Sequence, residues 1–312
     1  MGNEGRALRD AFGDEILALG KENPDIYVID GDVGKSCKTL DFAAACPRQH
    51  LNVGIAEQNA CGMAAGIATT GKIPFVSTYA AFGSMRMLEQ IRQEICYPKL
   101  NVKIACSHGG LTPANDGASH QCIEDMGILR TLPNMTIVMG ADYYATRALV
   151  RESVNYPGPV YLRFTRDPIP IVYDETIKLT IGKANIIKEG NDIAIIANGD
   201  TVNIAQKAAE KLEKSGASVQ LVDMHTVKPI DRDVVLDAVH RIGKIITVED
   251  HNIFNGLGSA VCEIAAEEGM GKVVRIGVQD QFGQSAPYET LLELNGITVE
   301  KIVEAYSKLN NK

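Results

Sequence analysis

Basic residues are in deficit in this 312-residue chain: 31 Lys and Arg stand against 39 Asp and Glu, a formal net charge of −8. With no basic field to gather phosphates, nucleic-acid and membrane-surface binding are disfavoured. No apolar run approaches the ~20 residues that span a bilayer. The start reads as an amphipathic helix, not an apolar signal core, and Arg6 stands where a myristoylation signal after Met1-Gly2 needs Ser or Thr. Seven cysteines (Cys37, Cys46, Cys61, Cys96, Cys106, Cys122 and Cys262) include no C-x-x-C pair. Neither a zinc site nor a disulfide framework is indicated, and a reducing cytoplasm fits. The dinucleotide fingerprint G-x-G-x-x-G is missing, and Gly34-Lys35-Ser36 imitates the end of a P-loop without its earlier glycine. There is no repeat and no low-complexity tract.

What is present is apolar mass, 45% of residues, in a chain too long for one ordinary core. Nearly continuous apolar strands such as Ile26–Ile29, Ile73–Thr78, Val102–Ser107 and Val160–Phe164 alternate with helix-period segments, among them Glu57–Thr69 and Met85–Tyr97. This alternation predicts α/β architecture, with mostly parallel sheets covered on both faces. The proline-bearing stretch from Asp167 lacks a clear period, and a second alternation begins at Asp192. The expected organisation is two tandem doubly wound domains, residues 1–172 and 191–312, joined by a linker over 173–190.

Ligands of parallel α/β sheets bind beyond the carboxyl ends of the strands. The polar residues there are Asp32, Glu57, Tyr79, Phe82, His108 and Arg166 in the first unit, and Asp200, Asp223, His225, Glu249 and His251 in the second. Glu57 opens a helix of nearly all small residues, which allows close packing and poor solvation of its carboxyl. Desolvation would help such a group hold a proton at neutral pH. The alternative is a plain electrostatic preference of an acidic residue for a helix N-terminus. The loop His108–Gln121 gathers two histidines, an aspartate and three glycines, the composition of a binding loop. Its histidine spacing fits no common metal site.

Three separated segments carry a resemblance: Leu51-Asn52-Val53-Gly54-Ile55-Ala56-Glu57-Gln58-Asn59, Pro74-Phe75-Val76-Ser77-Thr78-Tyr79-Ala80-Ala81-Phe82, and Asn115-Asp116-Gly117-Ala118-Ser119-His120-Gln121. In that order they resemble the C-terminal half of transketolase, a pyrimidine-binding domain followed by the C-terminal domain. The resemblance implies that Glu57 hydrogen-bonds the ring nitrogen N1′ of thiamine diphosphate, the contact that promotes deprotonation of the thiazolium C2. It implies that Phe82 stacks on the pyrimidine, with Tyr79 as a second wall and Asp32 at the edge of the cofactor pocket. Arg9, Ser36, His108 and Arg166 match residues that meet a sugar phosphate, where an arginine fork can hold two oxygens. Asp116 and His120 match residues near the sugar hydroxyls and the reacting carbons. His120 is the second catalytic candidate after Glu57, although the family varies between histidine and glutamine there.

The Gly-Asp-Gly…Asn segment with which transketolases hold the diphosphate and Mg²⁺ is missing, since Val33 follows Gly31-Asp32. The resemblance therefore implies one subunit of a split enzyme. A partner chain would supply the diphosphate domain and the Mg²⁺, in an expected α2β2 assembly that moves a two-carbon ketol unit between sugar phosphates. The alternatives are the beta subunit of a thiamine-dependent 2-oxo acid dehydrogenase and a non-catalytic regulatory subunit of the same fold. The second unit offers no obvious catalyst, and its His225 and His251 read as structural.

Overall fold

The computed structural model describes residues 5–310; Met1–Glu4 and the last two residues, with the Met1-Gly2 start and the outer ends of the two expected domains, lie outside it. The first unit contributes strands β1 (Ile26–Asp30), β2 (His50–Asn52), β3 (Ile73–Tyr79), β4 (Lys103–Ser107), β5 (Thr136–Val138) and β6 (Val160–Arg163). The second contributes β7 (Asn185–Lys188), β8 (Ile193–Ala197), β9 (Val219–Asp223), β10 (Thr226–Lys228), β11 (Lys244–Asn252) and β12 (Lys272–Val278). They form a seven-stranded sheet, β10-β5-β6-β4-β3-β1-β2, and a five-stranded sheet, β12-β11-β8-β9-β7. Among the described strands, β10 on β5 and β7 on β9 pair antiparallel and the rest pair parallel. The expected doubly wound α/β architecture is present in both units.

Side-chain alternation explains why the strands are apolar throughout. Along β3, Phe75 packs on one face of its sheet and Val76 on the other. Along β8, Ile193, Ile195 and Ala197 face one apolar cluster while Ala194 and Ile196 face another. A strand buried on both faces cannot carry a polar stripe. Among the described residues no helix is long and apolar enough to cross a membrane.

Two features depart from the expected organisation. Residues 185–188, inside the stretch read as a linker, form the edge strand β7 of the second sheet. Four residues of alternating exposure between Gly182 and Gly190 are too short a pattern to stand out in the sequence. Strand β10 belongs by chain position to the second unit yet completes the first sheet against β5, so the two units share backbone hydrogen bonding. The Met85–Tyr97 segment is also not one regular helix. It runs as a π-helix at Phe82–Arg86, an α-turn at Leu88–Gln90 and a second π-helix at Ile91–Cys96.

Candidate active site

The chain leaves β1 for β2 on one side and returns through β3 on the other, so the order β2-β1-β3-β4 has its switch point between β1 and β3. Crevices form at such points, beyond the carboxyl ends of the strands. Most of the candidate residues converge there. Helix α1 (Leu8–Glu22) brings Arg9, α2 (Gly34–Cys37) brings Ser36, and α3 (Leu40–Ala45) closes the flank. Helix α4 (Glu57–Ala68) begins with Glu57. Its small residues Ala60, Cys61, Ala64 and Ala65 are buried, which lets the helix lie close to the sheet. Gly31, at the end of β1, lies against Thr78 and Glu57: a Cβ built there would sit 3.5 Å from Thr78 Oγ1 and 3.8 Å from Glu57 Cγ.

Glu57 is only 3% exposed, in keeping with the poor solvation inferred from its small-residue helix. Its charge is compensated in a way the sequence did not announce. Arg86 Nη1 donates to Glu57 Oε1 at 2.8 Å, and the same guanidinium lies 4.4 Å above the Phe82 ring. Arg86 is the residue that sequence reading missed. An arginine four positions after Phe82, in a run of apolar neighbours, was the available signal. The π-turn that aligns the two, with Met87 N bonded to Phe82 O, has no periodic signature.

The aromatic candidates form one stack. The Tyr79 and Phe82 ring centroids are 5.7 Å apart, Tyr79 stacks on His108 at 3.9 Å, and His120 meets both Tyr79 and Phe82 edge-on at 6.1 and 6.0 Å. His120 is half-buried, with Nδ1 3.0 Å from Ser119 Oγ. His108 is buried, with Nδ1 2.7 Å from Ser107 Oγ. Burial first, then the charges of Arg9, Arg166 and His120, push its imidazole pKa down to about 3, so it is neutral at physiological pH.

Beside this stack, Arg9 Nη1 donates to the Ser36 carbonyl at 3.1 Å, while its buried Nε has no partner among the described residues. Arg166 donates through Nη1 to the Pro113 carbonyl, and its Nη2 lies 3.8 Å from Asp116 Oδ1. Asp116 is exposed. Asp32 is exposed on the rim, in the left-handed region at φ 67°, and accepts from Asn52 Nδ2 at 3.0 Å. It makes no contact with the aromatic stack. Among the described residues no three His, Cys, Asp or Glu side chains converge as a metal-holding group.

The second unit supports the site from behind. Arg163, at the end of β6 and fully buried, donates to Asp125 Oδ2 at 2.8 Å and to the carbonyls of Cys122 and Asp250. Gly110 sits at φ 65°, and a Cβ on it would collide with the Asp250 carboxylate at 2.1 Å, so only glycine fits where the loop after His108 crosses β11. His251 is bonded on both nitrogens, accepting from Gly127 N and donating to the Asn252 carbonyl.

The profile of the transketolase pyrimidine-binding domain matches residues 4–170, and that of the transketolase C-terminal domain matches residues 182–302. The chain belongs to the transketolase family. A transketolase C-terminal section from Methanocaldococcus jannaschii is 42% identical over 96% of this chain and 95% of its own length. A 6-deoxy-6-sulfo-D-fructose transketolase subunit from Clostridium sp. is 35% identical over 98% and 95%. Among solved structures, a split-gene transketolase described as an inactive beta4 tetramer superposes with a TM-score of 0.89 at 45% identity, covering 97% of this chain and 98% of its own. This member of the family therefore corresponds in extent to the C-terminal section of a split transketolase.

Proposed function

We propose that the chain is the C-terminal subunit of a thiamine-diphosphate-dependent transketolase, moving a two-carbon ketol unit from a ketose phosphate to an aldose phosphate only when joined to a diphosphate-binding partner. The observation that carries this reading is the buried Glu57 carboxyl beside the Tyr79–Phe82 stack at the sheet's switch point. The donor set fits the aminopyrimidine end of the cofactor. It offers an acid at the ring's edge, an aromatic face, and a buried Thr78 hydroxyl, unpartnered among the described residues, that like Glu57 lies against Gly31. It does not fit the diphosphate end, because Arg9 and Arg166 stand on the His108 side and, among the described residues, no three His, Cys, Asp or Glu side chains converge to hold Mg²⁺. We assign that end and the Mg²⁺ to the partner.

Bound thiamine diphosphate supplies the carbon nucleophile of ketol transfer. In our reading Glu57 hydrogen-bonds N1′, Phe82 covers the ring face, Tyr79 walls the pocket, and Asp32 sits at its rim. Arg9, Ser36, His108 and Arg166 bind the phosphate, while Asp116 and His120 face the sugar hydroxyls. The neighbouring surface suits a subunit contact: Ile55, two residues before Glu57, is 77% exposed, and Met85, next to Arg86, is exposed too. Two copies of each chain with sites at their interfaces, in a reducing cytoplasm, complete the proposal. All seven cysteines are free.

The test is reconstitution. The purified chain should show negligible ketol transfer from a ketose phosphate to an aldose phosphate, and the partner subunit should restore it. Robust turnover by this chain alone would refute the half-enzyme reading.

A further inference from the structure

Ser107 closes β4, in register with Tyr79 of β3, and its side chain lies between two buried neighbours. On one side is His108 Nδ1 at 2.7 Å, on the other Cys37 Sγ at 3.2 Å. Cys37 comes from α2, the short helix that also carries Ser36. The Ser107 hydroxyl has one proton and two candidate acceptors. An imidazole nitrogen is a strong acceptor and a thiol sulfur a weak one, so the proton belongs on the Nδ1 side. The Cys37 thiol stays protonated, pushed up to about 12 by burial, with the Ser107 and Ser77 hydroxyls as its neighbours.

We infer that Ser107 is a positioning residue that fixes His108 as the neutral Nε2–H tautomer, so that the imidazole presents an N–H donor to an oxyanion of the substrate beside Arg9 and Arg166. Nδ1 is occupied as an acceptor, which leaves only Nε2 for the ring proton. Among the described residues no group hydrogen-bonds Nε2. The face of the ring is held by Tyr79 at 3.9 Å, and His108 itself sits at φ 64°, an uncommon backbone conformation for a non-glycine residue. Position, tautomer and ring plane are thus all set by the fold before any ligand arrives. The opposite tautomer would turn a lone pair toward the anion. The assignment of an anionic ligand rests on the proposed function; the tautomer does not.

Histidine-selective ¹⁵N labelling of the full chain separates the two. Two-bond ¹H–¹⁵N correlations at neutral pH should show His108 as Nε2–H in the wild type. They should show a mixture with Nδ1–H in Ser107→Ala, and Nε2–H again in Ser107→Thr, which keeps the hydroxyl. An Nδ1–H or charged wild-type imidazole, or an unchanged pattern in Ser107→Ala, would overturn the inference without touching the proposed reaction. In the reconstituted enzyme, Ser107→Ala should raise KM for a phosphorylated acceptor roughly five-fold, the worth of one ordinary hydrogen bond, and leave the unphosphorylated acceptor nearly unchanged. If the tautomer shifts but both acceptors respond equally, the donor does not serve the anion and that half of the inference fails.

Discussion

A carboxylate that is 3% exposed needs compensation, and Glu57 finds it in a guanidinium that also covers Phe82. Because Arg86 is nearly half exposed, removing it leaves water able to reach part of the gap. Arg86→Ala should therefore cost about 1–2 kcal/mol of stability, and the double variant Glu57→Gln/Arg86→Ala less than the sum of the singles, in urea denaturation. Additive losses would mean the pair is not coupled. Glu57→Gln should abolish turnover in the assembled enzyme while gel filtration shows an intact complex, since its proposed contact is with N1′. Wild-type rates in that variant would remove Glu57 from the chemistry. On the substrate side, Arg166→Ala should raise KM for phosphorylated aldoses more than for unphosphorylated ones, and an equal rise would deny it a phosphate contact.

At the scale of elements, the strands were legible and the segment after Phe82 was not. Strands such as β3 and β8 are apolar on both faces, and that run is visible in any reading of the chain. The π-helices at Phe82–Arg86 and Ile91–Cys96 follow no pattern that a 3.6-residue period detects, so the Arg86–Glu57 contact they permit was invisible. The same holds for β10, three residues that cross from one unit to the other's sheet. Arg163 is the side-chain counterpart of that crossing, joining β6 to the Asp125 carboxylate and to the Asp250 carbonyl. Arg163→Ala leaves the Asp125 carboxylate buried without its charged partner, with, among the described residues, only the Tyr161 hydroxyl hydrogen-bonded to it, and should cost about 3–5 kcal/mol, read as a lowered denaturation midpoint. A loss below about 1 kcal/mol would show that Arg163, whose Nη2 reaches the Asp250 carbonyl, does not tie the units together.

Across the whole molecule, buried acids set the pH dependence of stability. Asp223, at the end of β9, accepts from Tyr173 of the inter-unit segment at 2.9 Å. Burial first, opposed by that hydrogen bond, and then the nearby Asp142 charge push its pKa up to about 7. Between pH 4 and 7 the unfolded chain ionises this group while the folded chain keeps the proton. Its contribution to stability therefore falls as pH rises, by about 1.4 kcal/mol per unit across that window, and levels off above pH 7. Asp223→Asn removes the effect, so the stability of the variant relative to wild type should climb from pH 4 to 7 in chemical denaturation. Parallel curves would place the Asp223 titration elsewhere.

The amino-acid order alone determined the α/β class, the two-unit plan, the family, and the residues Glu57, Tyr79, Phe82 and His108 at the strand ends. Each of these is written in local runs or contiguous motifs. Tertiary structure decided what depends on residues far apart in the chain: the Arg86 partner of Glu57, the Ser107–Cys37 pair behind His108, the membership of β7 and β10 in their sheets, and the Arg163 tie between units. The physical reason is that hydrogen bonds and ion pairs are fixed by distance in space. A one-dimensional pattern records which groups could meet, and only packing brings two of them within 3 Å.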